Sequence, residues 1–240
     1  MSVLTDKMND FAALGAGAGD KPVRLLLTMM MDNSSSMGHG ENSKLVMDGH
    51  NGVLDTLAAL PQASVFLART QYMHGKALAT GYRSLEKAPR ITIKNYHLFG
   101  GTPLFSAARR NLRYVRKRAK HYIEQGFDVF TLTLLLTDGY NRDFKNPGLT
   151  AEDLHPLVTS MLTQNHIICG AGVVYPDIDF GLVFLRMGIS KDWIVDLRNP
   201  DEIRAAFGNL SSIAESCSTN EHAFAETKSR GFGTLTQKAN

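Results

Sequence analysis

Five oxygen-bearing side chains stand at three separated points of this 240-residue chain. Asp32, Ser34 and Ser36 lie in the run Asp32-Asn33-Ser34-Ser35-Ser36, Thr102 lies in Gly100-Gly101-Thr102-Pro103-Leu104, and Asp138 precedes Gly139. Two carboxylates and three neutral hydroxyls are hard donors. Brought together they suit Mg²⁺, which prefers near-octahedral oxygen and keeps some of its water, with Mn²⁺ or Ca²⁺ as alternatives. Zinc would ask for His or Cys. Because only two of the five donors carry charge, the ion would draw one further anionic oxygen, which an Asp or Glu of another protein can supply.

For these residues to meet, the elements before them must end along one edge. Val23 to Met31 and Asp128 to Thr137 are continuous apolar runs, as expected of parallel strands covered on both faces. Each ends at one of the two acids. Ala63 to Thr70, His166 to Val174 and Trp193 to Leu197 read as further strands, and Ile91 to Leu98 alternates as an edge strand would. Helical spacing runs from Ser43 to Leu60, ended by Pro61. A long helix opens at Pro103 and runs to about Gly126 on the stripe Leu104, Ala108, Leu112, Val115, Ala119 and Tyr122. Thr150 and Asp153 make a capping box before another helix, and Asn199-Pro200 cap an entry to the last. This order predicts an α/β, Rossmann-like fold: a mostly parallel sheet of about six strands, one of them an antiparallel edge strand, with helices on both faces. Ligands in such sheets sit beyond the carboxyl ends of the strands.

The three motif pieces, in this order, resemble the von Willebrand factor A (vWA) domain and its metal-ion-dependent adhesion site. Asp32, Ser34 and Ser36 match the family's Asp-x-Ser-x-Ser, Thr102 its lone Thr, and Asp138 in Leu135-Leu136-Thr137-Asp138-Gly139 its later Asp. The resemblance covers about Pro22 to Ser216. It implies that the hydroxyls bind metal directly, that one or both Asp residues act through water, and that a partner's carboxylate completes the shell. It further implies a binding module and not an enzyme, similar to stand-alone intracellular bacterial vWA proteins that accompany an AAA+ ATPase or a kinase and phosphatase pair. Many members carry Gly between the two serines, where Ser35 stands here; that departure alters the loop without removing a ligand.

Taken singly, each residue has a plainer reading. Thr102 before Pro103 is an N-cap, Ser34 or Ser36 could cap the first helix, and Asp138-Gly139 could be a turn. Together they resist it, because two acids at neighbouring strand ends would face each other without a cation. His39 and Asp143 are nearby candidates for supporting the site or touching a partner.

The long helix carries Arg109, Arg110, Arg113, Arg116, Lys117, Arg118 and Lys120 with no acid among them. A solvated face explains these, and a phosphate-binding strip is the rival. The remaining alternatives to protein binding are therefore a Mg²⁺-dependent phosphoester hydrolase and a nucleic-acid-associated vWA protein using helix residues 109–120. Neither a general base nor a phosphate-binding lysine is evident near the ligands.

Composition excludes other classes. With 43% hydrophobic and 20% charged residues, the chain can bury one sizeable core. A net charge of +3 is too small over this length to mark a nucleic-acid binder. The only cysteines, Cys169 and Cys217, fall in core-like segments, so reduced buried thiols are expected in a cytoplasmic protein. Residues 1–21, with Gly15 to Gly19, lack periodicity and precede the first strand, so they read as a flexible segment and not as a dinucleotide loop. The expected organisation is a vWA domain over 22–217 and a small, polar C-terminal tail over 218–240.

Overall fold

The computed structural model describes residues 21–75, 78, 81–173 and 179–232. In chain order its elements are β1 (Val23–Met31), α1 (Asn42–Ala58), β2 (Phe66–Tyr72), β3 (Arg83–Ser84), α2 (Leu104–Glu124), β4 (Asp128–Thr137), α3 (His155–Leu162), β5 (His166–Val173), α4 (Phe180–Arg186), β6 (Ile194–Leu197), α5 (Pro200–Cys217) and α6 (Glu221–Arg230). The strands form one six-stranded sheet in the order β3-β2-β1-β4-β5-β6, parallel except for β3. The two apolar strands are central neighbours, with Met31 opposite Leu136. Their long uninterrupted runs follow from burial on both faces: the last seven residues of β1 and the last nine of β4 are buried.

Arg69 and Thr70 show that helices cover both faces. Successive strand residues point to opposite sides of a sheet. Arg69 Nη1 donates to Asn111 Oδ1 of α2 at 2.6 Å, whereas the Thr70 hydroxyl meets His50 Nε2 of α1 at 2.6 Å. On the α1 side α5 packs close, because Gly49 leaves room for the Phe207 ring; a Cβ at Gly49 would lie 2.0 Å from Phe207 Cδ2. The α2 stripe is as the spacing predicts, with Leu104, Ala108, Leu112, Val115 and Ala119 buried and Tyr122 half-buried. Cys169 and Cys217 are free and buried.

Three expectations need correction. Ile91 to Leu98 is not a strand, and the antiparallel edge strand is β3, pairing Ser84 with Leu67 and Arg83 with Ala68. The backbone of the misread segment is satisfied by side-chain amides instead. Asn51 accepts from Ile91 N at 2.9 Å and donates to Ile91 O at 2.8 Å, while Asn95 Oδ1 accepts from Thr92 N at 2.8 Å. An asparagine amide presents the same donor and acceptor pair as a neighbouring strand, and alternation cannot tell the two apart.

The stretch after Cys217 is not simply a polar tail, for residues 221–230 form α6, capped by Asn220, whose Oδ1 accepts from Ala223 N at 2.9 Å. Phe224 stacks on Phe130 at 4.7 Å between ring centroids, and Phe232 is buried beside Trp193. Two aromatics eight residues apart anchor the segment but make no readable stripe. The third correction is α4, which the apolar spacing did not reveal; its Phe180 and Phe184 seat over Gly172 and Gly170 of β5. The glycine-rich run Gly15 to Gly19 and Val174 lie outside the described residues.

Candidate metal centre

The ends of β1 and β4 bring the two acids into one buried site. Asp32 continues the ladder, its N–H donating to Leu136 O at 3.0 Å. Its carboxylate is held on both oxygens: Ser34 N donates to Oδ1 at 2.8 Å and the Thr137 hydroxyl to Oδ2 at 2.6 Å. That bond crosses 105 residues of sequence. Asp138 takes Ser36 Oγ on Oδ1 at 2.8 Å and, more distantly, Ser34 Oγ at 3.5 Å; the two serine oxygens are 2.9 Å apart.

Thr102 joins them from the turn before α2. A parallel bridge ties Thr102 to Asn141, and Arg142 N donates to Thr102 O at 2.7 Å. A Cβ built on Gly139 would lie 2.5 Å from Thr102 Oγ1 and 3.8 Å from Ser36 Oγ. Only glycine leaves that approach open. Asp32, Ser34, Ser36, Thr102 and Asp138 are thus brought together, all buried except the partly exposed Ser36.

The electrostatics fit a cation. Burial first, and the neighbouring Asp32 carboxylate next, push Asp138 up to about 6, against the lowering effect of the Ser36 hydrogen bond. Asp138 Oδ2 is buried and has no hydrogen-bond partner. An orphaned carboxylate oxygen beside a second acid is costly unless a positive charge meets it. Among the described residues no three His, Cys, Asp or Glu side chains cluster as a metal site, so an ion here would rest on hydroxyls as much as on carboxylates. Such a donor set suits a hard divalent cation.

Several residues that build the site were not singled out by the motif. Buried Asn33 sits between three loops, its Oδ1 accepting from His74 N at 2.8 Å and its Nδ2 donating to His97 O at 3.1 Å. Its own carbonyl accepts from Phe99 N at 3.0 Å, and Gly100 O accepts from Ser35 N at 3.3 Å. Tyr96 donates from its hydroxyl to Asp32 O. The one available signal for Asn33 was its place inside the motif, directly after a buried strand.

The other candidates fall elsewhere. Asp143 turns into its own loop, accepting from Lys145 N at 2.9 Å, Asn146 N at 3.1 Å and the Ser106 hydroxyl, and so ties that loop to α2. The exposed His39 ring meets Ser36 O at 2.7 Å and braces the first loop. Arg110, Arg113, Arg116, Lys117 and Lys120 are exposed on α2, with Lys120 paired to Glu124 at 3.9 Å.

No protein-family model matches this chain, and no curated protein matches it by sequence. Solved structures do. Proximal thread matrix protein 1 from the mussel byssus, in a form with a zinc-occupied MIDAS motif, aligns at a TM-score of 0.54 and 15% identity over 80% of this chain and 46% of its own. The VWA domain of SpRpn10 aligns at a TM-score of 0.51 and 11% identity over 78% of this chain and 94% of its own. Manganese-loaded TRAP protein of Plasmodium vivax aligns at a TM-score of 0.51 and 15% identity over 78% of this chain and 72% of its own. The chain therefore spans less than half of the matrix protein. At these identities the likeness defines the fold alone, here a sheet of six strands with only β3 antiparallel. The chain is a protein of the vWA fold. No helix among the described residues is long and apolar enough to cross a membrane.

Proposed function

We propose that this chain is a metal-dependent protein-binding module, in which Ser34, Ser36 and Thr102, with Asp32 and Asp138, hold Mg²⁺ and a partner's Asp or Glu completes the shell. The observation that carries the reading is the orphaned, buried Asp138 Oδ2 beside Asp32, in a site whose other side-chain donors are hydroxyls. When bound, the ion supplies positive charge that a carboxylate can ligate. Asp32, engaged by Thr137 and the Ser34 backbone, orients the loop. The hydroxyls offer neutral lone pairs, which leave a divalent ion short of anionic oxygen.

Support for a divalent ion comes from the zinc and manganese in the two metal-bearing structures of this fold. Mg²⁺ in place of these, binding in place of turnover, and a cytoplasmic setting are parts of the proposal. So is the class of partner: an AAA+ ATPase, or a kinase and phosphatase pair. Affinity capture from the source cell's lysate, in Mg²⁺ and again in EDTA, tests it. A partner identified by mass spectrometry should appear with Mg²⁺, vanish with chelator and be missing from Thr102→Ala. Equal capture in EDTA would overturn the metal-dependent reading.

A further inference from the structure

The loops that bring the metal ligands together also expose large aromatic side chains. Phe99 is 46% exposed, Tyr140 49% and Phe144 85%, on a molecule whose other large aromatics mostly lie in the core. Each is tied to the site. Phe99 donates its N–H to Asn33 O at 3.0 Å and its ring lies 5.2 Å from that of His74. Tyr140 directly follows Gly139, which abuts Thr102. Phe144 Cε2 lies 3.5 Å from the position a Cβ on Gly101 would take, beside Thr102.

The scaffold beneath these rings is ordered by side-chain bonds. Asn33 joins the first loop to the segments holding His74 and Phe99. The Thr102–Asn141 bridge and the buried Asp143 carboxylate hold the loop of Tyr140 and Phe144. Loops held in place before binding lose little freedom on contact, and exposed aromatics on such a frame are the usual anchors of an interface. The exposed charge next to Phe144 is positive. Arg142 and Lys145 are exposed on either side of it, and the acid between them, Asp143, is turned inward.

We infer that Phe99, Tyr140 and Phe144 form an aromatic rim that receives an apolar side chain beside the metal-bound carboxylate, so that the partner presents an acidic residue with a large apolar residue one or two positions away. This rests on the metal-dependent reading above. The carboxylate meets the ion, Arg142 and Lys145 favour an acidic segment, and the rim discriminates among acidic segments by what stands next to the acid. An acid flanked only by small polar residues would leave the rings in water.

Propionate and 3-phenylpropionate separate the two layers, since they share the carboxylate and differ by one ring. Each is titrated into the Mg²⁺-saturated full chain, followed by amide NMR shifts, and the titrations are repeated in EDTA. The ring should tighten binding about tenfold, as burial of part of a phenyl group does. In the double variant Phe99→Ala, Phe144→Ala the preference should fall toward one. It should persist in Ile123→Ala, which removes an exposed apolar side chain from the far end of α2. Equal affinities in the unmodified protein, or a preference that survives the double variant, would overturn the rim while leaving carboxylate binding intact. If neither acid moves a resonance in Mg²⁺, the metal-dependent reading falls and the rim falls with it.

Discussion

Ser36 Oγ donates to Asp138 Oδ1 at 2.8 Å across 102 residues of sequence. The bond holds the first loop against the end of β4 through hydroxyl and carboxylate alone. The same Asp138 keeps its second oxygen unpartnered and lies close enough to Asp32 to be raised by it. The site is therefore a region of electrostatic conflict that a bound cation would relieve.

Asp138→Asn should separate stability from metal binding. The folded protein holds this carboxylate up at about 6, so above that pH ionised Asp138 costs stability relative to the unfolded chain, and the cost fades as pH falls below it. In EDTA at pH 7.5 the variant should therefore be more stable than the parent, by about 1–3 kcal/mol. Calorimetry should also show Mg²⁺ raising the Tm of the parent and not of the variant. A parent Tm that ignores millimolar Mg²⁺ contradicts the site.

Gly139→Ala should damage the site locally. The new methyl would stand 2.5 Å from Thr102 Oγ1, so either the threonine or the loop must shift, with an expected loss of about 1–3 kcal/mol of stability. Metal affinity by isothermal titration should fall at least about tenfold, equivalent to about 1.4 kcal/mol. Gly148→Ala, with nothing within 4 Å of its Cβ position, is the matched control and should leave the affinity unchanged.

Asn33→Ala should loosen all three loops. It removes the acceptor of His74 N and the donor to His97 O, leaving a part-buried N–H unsatisfied. Urea denaturation should report a loss of about 2–3 kcal/mol. Metal affinity should fall with it. A variant with parental stability would show that the loops are held by their other contacts.

Acid should destabilise the fold through two buried histidines. Burial lowers both His50 and His166 to about 4; at His50 the Asn51 hydrogen bond opposes this and Arg90 adds to it, and at His166 Lys228 and Arg116 add to it. Between about pH 6.5 and 4 the unfolded chain binds protons that these rings refuse, so stability falls as pH drops through that window. Each contributes a slope of up to about 1.4 kcal/mol per pH unit. Urea midpoints are best compared at pH 7 and 5 in the Asp138→Asn background, where the opposing carboxylate is absent. A flat midpoint would show that the rings are not held neutral.

The pattern of apolar residues carried the centre of the fold. Asp128 to Thr137 is a strand over the span its run predicts, and the α2 stripe is buried from Leu104 to Ala119. Burial on both faces of a strand, or on one face of a helix, imposes a local period that composition alone reveals. The five candidate ligands were legible for a related reason: four follow the ends of the two apolar strands and Thr102 precedes the start of the α2 stripe. The edge of the sheet was not, because Asn51 satisfies the Ile91 backbone with a side chain 40 residues away.

By itself, then, the chain's order of residues determined which strands are buried, where they end and which oxygens stand at those ends. Tertiary structure alone decided that Asn33 ties three loops together, that Gly139 admits Thr102 to the site, that α6 docks on Phe130 and that Phe99, Tyr140 and Phe144 are exposed on the loops beside the candidate ligands. The division is physical. Burial leaves a repeating signature within a few residues, whereas a hydrogen bond or a close approach between distant segments depends on where the whole chain has already placed them.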